Sequence, residues 1–139
     1  MKQVIVVEKP PVYEQCIRAF GRENIEGKAI IWAWGDRIYN PTDIDISREL
    51  LAHEAVHGER QGPNEGSIRT WWLQYLEDAA FRYEEERLAH RAEWHTIRKY
   101  SAGKNLTPYF EGIAAKLASP LYGKLISVDG AKLALTARE

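Results

Sequence analysis

The alternation of apolar and polar positions along the chain predicts a mixture of short strands and longer helices. Val4 to Val7 is a brief apolar run that reads as a strand. Pro10 and Pro11 end it and can open a helix over Val12 to Phe20, where Val12, Cys16 or Ile17, and Phe20 share one side. Gly21 to Gly27 reads as a loop. Lys28 to Trp34 is rich in Ile and Trp, as strands are. Gly35 and Asp36 form a two-residue turn into Arg37–Tyr39, which makes a hairpin. Asn40 to Asp43 is a second turn.

The pattern then becomes helical. Ser47 is a good N-cap for a helix over Arg48 to His57. Gly58 and the stretch Gly62-Pro63-Asn64-Glu65-Gly66 interrupt it, and Ser67 reads as the cap of one long helix reaching about Tyr100. Gly103 ends that helix. A shorter helix follows over Thr107 to Leu117, and Ser119 to Glu139 reads as a turn, an apolar piece and a terminal helix. Short strands followed by helices predict an α+β fold: one domain over residues 1–139, with a small, mainly antiparallel sheet under two principal helices.

Composition narrows the classes. With 45 % hydrophobic residues, five Trp and seven Tyr, the chain can bury a core of its own. No apolar run approaches the roughly 20 residues of a spanning helix, and the start lacks the apolar stretch of a secretory signal, so a cytoplasmic protein with no membrane partner is expected. Cys16 is the only cysteine, which rules out an internal disulfide and fits a reducing setting. The net charge of −1 lacks the basic excess of a nucleic-acid binder.

The chemistry concentrates in Leu50-Leu51-Ala52-His53-Glu54-Ala55-Val56-His57. Residues four apart lie on one face of a helix, so His53 and His57 can converge on one ion without distorting the backbone. Two imidazoles are a zinc donor pair. Glu54 sits beside the first ligand and can reach a metal-activated water rather than the metal, as a general base must. The bland reading is a helix with two surface histidines. The capped helix and its apolar flanks argue against it.

A third ligand must come from elsewhere, because Arg60 and Pro63 stand where an extended HExxHxxGxxH signature requires Gly and His. Helical spacing puts Trp72, Leu76, Ala79, Tyr83, Glu86, His90, Trp94 and Ile97 on one inward face. A carboxylate on such a face is costly unless it is paired or binds a metal, which favours Glu86. Glu84 shares a rival face with Leu73, Ala80 and Leu88 and stays open. Glu85, on a more polar side beside Arg82, is the weakest of the three.

His53-Glu54-x-x-His57 with a later helical glutamate resembles the gluzincin branch of zinc metallopeptidases. It is most similar to small bacterial and phage-encoded members with a Trp- and Tyr-rich start to the next helix and an FR-x-E-x-E-x-x-A element. Here these are Trp71-Trp72-x-x-Tyr75-Leu76 and Phe81-Arg82-x-Glu84-x-Glu86-x-x-Ala89-His90-Arg91. The resemblance covers roughly residues 28 to 94 and implies a minimal zincin-like fold, Zn2+ as cofactor, Glu86 as third ligand and peptide or protein substrates. It also implies an edge strand, Ala29–Trp34, for substrate to lie along, and a Tyr, His or Arg as oxyanion donor. His90 replaces the usual tyrosine, and Glu59 stands where longer signatures carry an apolar residue. His90 is then a core histidine, an outer-shell donor, a hydrogen-bond donor to the transition state or a fourth ligand. Tyr39, Tyr83, Tyr109 and Tyr122 are the oxyanion candidates. Asp43 or Asp45 is a candidate to hold a ligand imidazole, with a turn or cap role as the plainer reading. A second functional reading is a non-catalytic zinc-stabilised interaction protein of a phage or mobile element, with the ion closed in by four protein ligands.

Overall fold

The structure is a computed structural model that describes residues 3–101, 104–119 and 126–137. It is α+β. Three strands, β1 (Val4–Val6), β2 (Trp32–Trp34) and β3 (Arg37–Tyr39), form one sheet in the order β1-β3-β2. The described helices are α1 (Tyr13–Phe20), α2 (Arg22–Ile25), α3 (Arg48–Arg60), α4 (Glu65–Glu77), α5 (Ala79–Tyr100), α6 (Thr107–Leu117) and α7 (Val128–Thr136).

The sheet is mixed rather than mainly antiparallel. β2 and β3 form the expected hairpin about Gly35, whose φ of +60° suits the tight turn. β1 pairs with the other side of β3 and runs parallel to it. β2, which runs antiparallel to both, carries the chain back across the sheet, so that β3 starts beside the start of β1. α2 lies within the segment expected to be loop. The Lys28–Trp34 strand is confined to its last three residues, because Ile30 and Ile31 leave the sheet to line a cleft.

The single long helix expected from Ser67 to Tyr100 is two helices. Asp78, extended at φ −116° and ψ 104°, closes α4 and caps α5 by accepting from the Phe81 amide. Arg82 donates to the Tyr75 carbonyl, left over at the end of α4. No Gly or Pro marks this break; the signal is the Asp ahead of a helical run. At the start of α4 the cap is Asn64, paired with Ser67 in a reciprocal capping box.

α3 runs on to Arg60, past Gly58. Gly58 is no breaker but a point of close approach: a Cβ there would stand 2.2 Å from the Gly35 carbonyl oxygen. The missing side chain lets α3 lie directly on the hairpin turn.

Two apolar clusters form. One joins α1, Ile25, β2 and α4 around Trp32, Trp34, Trp71 and Trp72. The other joins the end of α5 to α6 and α7 around Trp94, Ile113, Leu117 and Leu135. Phe81 touches the first cluster, and Trp94 and Ile97 belong to the second. The stretch of α5 between them, Glu86 to Glu93, faces α3. Among the described residues no helix is long and apolar enough to cross a membrane.

Candidate metal centre

Two helices build the site. Ser47 caps α3 by accepting from the Leu50 amide, which fixes the turn that leads into His53. His53 and His57 then share the inward face, with ring centroids 5.0 Å apart. α5 supplies the opposing carboxylate. Glu86 Oε1 lies 3.3 Å from His53 Nε2, and Glu86 Oε2 lies 3.1 Å from His57 Nε2. All three side chains are buried. One donor atom from each lies close enough to the others to surround one ion.

The surrounding groups orient these donors. His53 Nδ1 is 2.9 Å from Glu93 Oε1. An ionised carboxylate only accepts, so Nδ1 carries the hydrogen and Nε2 is left to face Glu86. Glu93 is itself held by Lys116 of α6, at 2.8 Å. The Tyr75 hydroxyl donates to Glu86 Oε2 at 2.6 Å. His90 Nδ1 lies 2.7 Å from the Glu86 carbonyl oxygen.

Charge follows from this packing. Burial works against the His53 imidazolium, but the Glu86 and Glu93 carboxylates outweigh it and raise its pKa to about 10. Burial also works against an ionised Glu86, yet His57 and His53 hold its pKa well below the ordinary carboxylate value. Burial and the neighbouring His53 push His90 down to about 3, so it is neutral. Glu93, despite burial, is lowered to about 2 by His53 and Lys116. Glu54 moves the other way: burial raises it, with only partial relief from His53 and His57.

Unsatisfied atoms test whether an ion fits. Glu54 Oε2, Glu86 Oε1 and both ring nitrogens of His57 are buried without a hydrogen-bond partner. His57 Nε2 is near Glu86 Oε2, but without hydrogen-bond alignment. Buried polar groups in this state are costly, and a cation among the imidazole and carboxylate donors would satisfy His57 Nε2 and Glu86 Oε1. The buried His53, His57 and Glu86 group can therefore hold a metal ion.

A second group, His53, His90 and Glu93, is also compact. It suits an ion less. Both Glu93 oxygens are already taken, Oε1 by His53 Nδ1 and Oε2 by Lys116.

The other candidates separate clearly. Glu84 pairs with Arg87 on the surface side of α5. Glu85, expected on a polar side, is 1 % exposed. It is anchored by Arg60 at 2.9 Å and by the Trp71 indole at 2.7 Å, so it ties the end of α3 to α4 and α5. Asp43 and Asp45 are exposed, and Asp43 closes a turn onto Asn40. The imidazole-holding role falls to Glu93. Tyr39 packs against Trp34, Tyr83 lies against the second cluster and Tyr109 is half exposed. Tyr122 lies outside the described residues. The tyrosine at the site is Tyr75. Its place on the aromatic run of α4, and that of Glu93 seven positions after Glu86 on the same helical face, were the available signals.

Glu54, His57 and Glu86 also line a cavity bounded by α1, α2 and β2. The outer edge of β2 is already used beyond Trp32. The Ala33 carbonyl accepts from Gln61 Nε2 and Trp72 Nε1, each at 3.0 Å, and the Gly35 amide donates to Gln61 Oε1 at 2.7 Å. The Gln61 amide thus pairs with Ala33 and Gly35 as a neighbouring strand would. No family model, no curated protein and no solved structure matches this chain.

Proposed function

We propose that the protein is a zinc-dependent peptidase in which Glu54 is the general base. One observation carries this reading: three donors converge between α3 and α5 while Glu54, next in sequence to the first of them, lines a cavity at the same place. Two imidazoles and one carboxylate suit zinc and leave a coordination position for a non-protein group, as in catalytic rather than structural sites. Bound there, zinc would supply Lewis acidity toward a water and a carbonyl oxygen.

The chain's own groups do the rest. His53 and His57 present Nε2, with Glu93 fixing the first ring. Tyr75 holds the Glu86 carboxylate from one side. Glu54, whose pKa burial raises, has one oxygen without a hydrogen-bond partner. That oxygen can take a proton from water and return it to the departing amine. Buried walls around the cavity keep other water away.

The alternative, a structural zinc protein, draws on His90, whose ring centroid lies 4.5 Å from that of His53. A fourth protein ligand there would close the site. His90 does not fall within the compact group of His53, His57 and Glu86, which favours the open form.

Glu54→Gln separates the readings. It should retain zinc at one equivalent while losing roughly 10²–10⁴-fold in peptide hydrolysis. Unaltered hydrolysis would remove Glu54 as the base. Stoichiometric zinc with no hydrolysis by the wild-type protein would favour the structural reading.

A further inference from the structure

The walls of the cavity next to Glu54 are apolar on the side away from the metal ligands. Cys16 and Phe20 come from α1, Ile25 from α2, and Ile30 and Ile31 from the approach to β2. Cys16 and Ile25 are buried at 2 % and 3 % exposure and form the floor. Phe20, Ile30 and Ile31 are half-buried, so the rim is on their side. We propose that this cavity is a specificity pocket that takes one aliphatic side chain of a peptide, from a residue flanking the bond to be cut. The proposal rests on the peptidase reading and names its substrate class.

Size and chemistry both select the occupant. The space of about 70 Å³ is bordered by the three metal ligands as well as by the apolar walls, so it suits one medium-sized aliphatic side chain and is too small for Trp. Polar side chains would lose their water against isoleucine walls without regaining hydrogen bonds. Acidic side chains would also face the carboxylates of Glu54 and Glu86, and no Lys or Arg lines the cavity. The space suits one side chain, so the rest of the peptide must lie outside it, along the rim.

The departure of Ile30 and Ile31 from the sheet gains a function on this account. A strand continued through Lys28 would point those side chains to the two faces of a sheet. Released from it, both line the pocket.

The test uses zinc-loaded full-length protein in two assays. In the first, a mixed peptide library is digested and cut sites are read by mass spectrometry, with Glu54→Gln as control. In the second, calorimetry compares leucine, glycine and aspartate hydroxamates, which bind metal whether or not the protein is catalytic, on wild type and Ile30→Trp. The pocket predicts Leu, Ile or Met enriched at one fixed position beside the cut. It also predicts leucine hydroxamate binding at least about tenfold tighter than the glycine compound, with the difference lost in Ile30→Trp. Cleavage with no such enrichment overturns the pocket and leaves the peptidase. No cleavage, with the leucine preference present on wild type, overturns the peptidase and leaves the pocket. No cleavage and no preference overturns both. Should Ile30→Trp fail to fold, the wild-type library and hydroxamate series still decide.

Discussion

A histidine that binds a metal has to present one nitrogen and commit the other, and Glu93 makes that choice for His53. The Nδ1–Glu93 contact of 2.9 Å and the Lys116–Glu93 contact of 2.8 Å form a chain from α6 to the ligand. Such outer contacts are worth roughly 10–100-fold in metal affinity. Glu93→Gln should therefore weaken zinc binding by about that factor, measured by competition with a chromophoric chelator. Glu86→Ala should weaken it far more, and Glu84→Ala should leave it unchanged. Equal effects at Glu84 and Glu86 would contradict the ligand assignment. The HExxH spacing and the aromatic face of α5 made His53, His57 and Glu86 legible from sequence alone. Tyr75 was hidden by the break at Asp78 that turns α4 toward Glu86, and Glu93 and Lys116 were not legible because a charged residue near a helical face reads the same whether it meets solvent or a ligand imidazole. Only the packing of α3 and α6 on α5 distinguishes them.

At the scale of elements, two joints position the site. Asp78 divides what the periodicity reads as one helix, and the turn it makes lets Tyr75 of α4 reach Glu86 of α5. An apolar period continues through such a break, so hydrophobic spacing gives the helices but not the bend between them. Gly58 is the second joint. Its sequence signature is a helix stop, whereas its function is contact with the Gly35 carbonyl. Gly58→Ala would force α3 off the hairpin. We predict a destabilisation of about 1–3 kcal/mol, seen as a fall of roughly 5–10 °C in Tm, with the cavity wall displaced. An unchanged Tm would mean that α3 does not lie as close to the turn as described. The mixed sheet shows the same limit of sequence reading. The strands of a three-residue sheet are short enough that pattern marks their place but not the direction of their pairing.

For the molecule as a whole, the buried charges set a pH dependence for the chelator-treated protein. His53, raised from 6.5 to about 10, contributes stability that is complete below pH 6.5 and lost as pH rises through 10. His90, lowered from 6.5 to about 3, contributes stability present above pH 6.5 and lost as pH falls toward 3. Glu93, lowered from 4.5 to about 2, contributes stability present above pH 4.5 and lost as pH falls through 2. Together they place the maximum near pH 6.5. Urea denaturation after chelation should show stability declining on both sides of it, and a steady rise from pH 6.5 to 9 would contradict these assignments. The α+β class and the HExxH helix were visible in the sequence as patterns of spacing. The division into two apolar clusters was not, since it arises where α5 passes from one set of partners to the other. The candidate metal centre lies along that passage, with donor groups from α3 and α5 and outer support from α4 and α6.

The trio of ligands is tested most directly by anomalous scattering at the zinc edge from crystals of the zinc-loaded protein. One strong peak is expected between α3 and α5, bonded at about 2.0–2.2 Å to His53 Nε2, His57 Nε2 and a Glu86 oxygen, with Glu54 nearby and not coordinating. A peak held instead by His53, His90 and Glu93, or no peak between the two helices, would contradict that assignment.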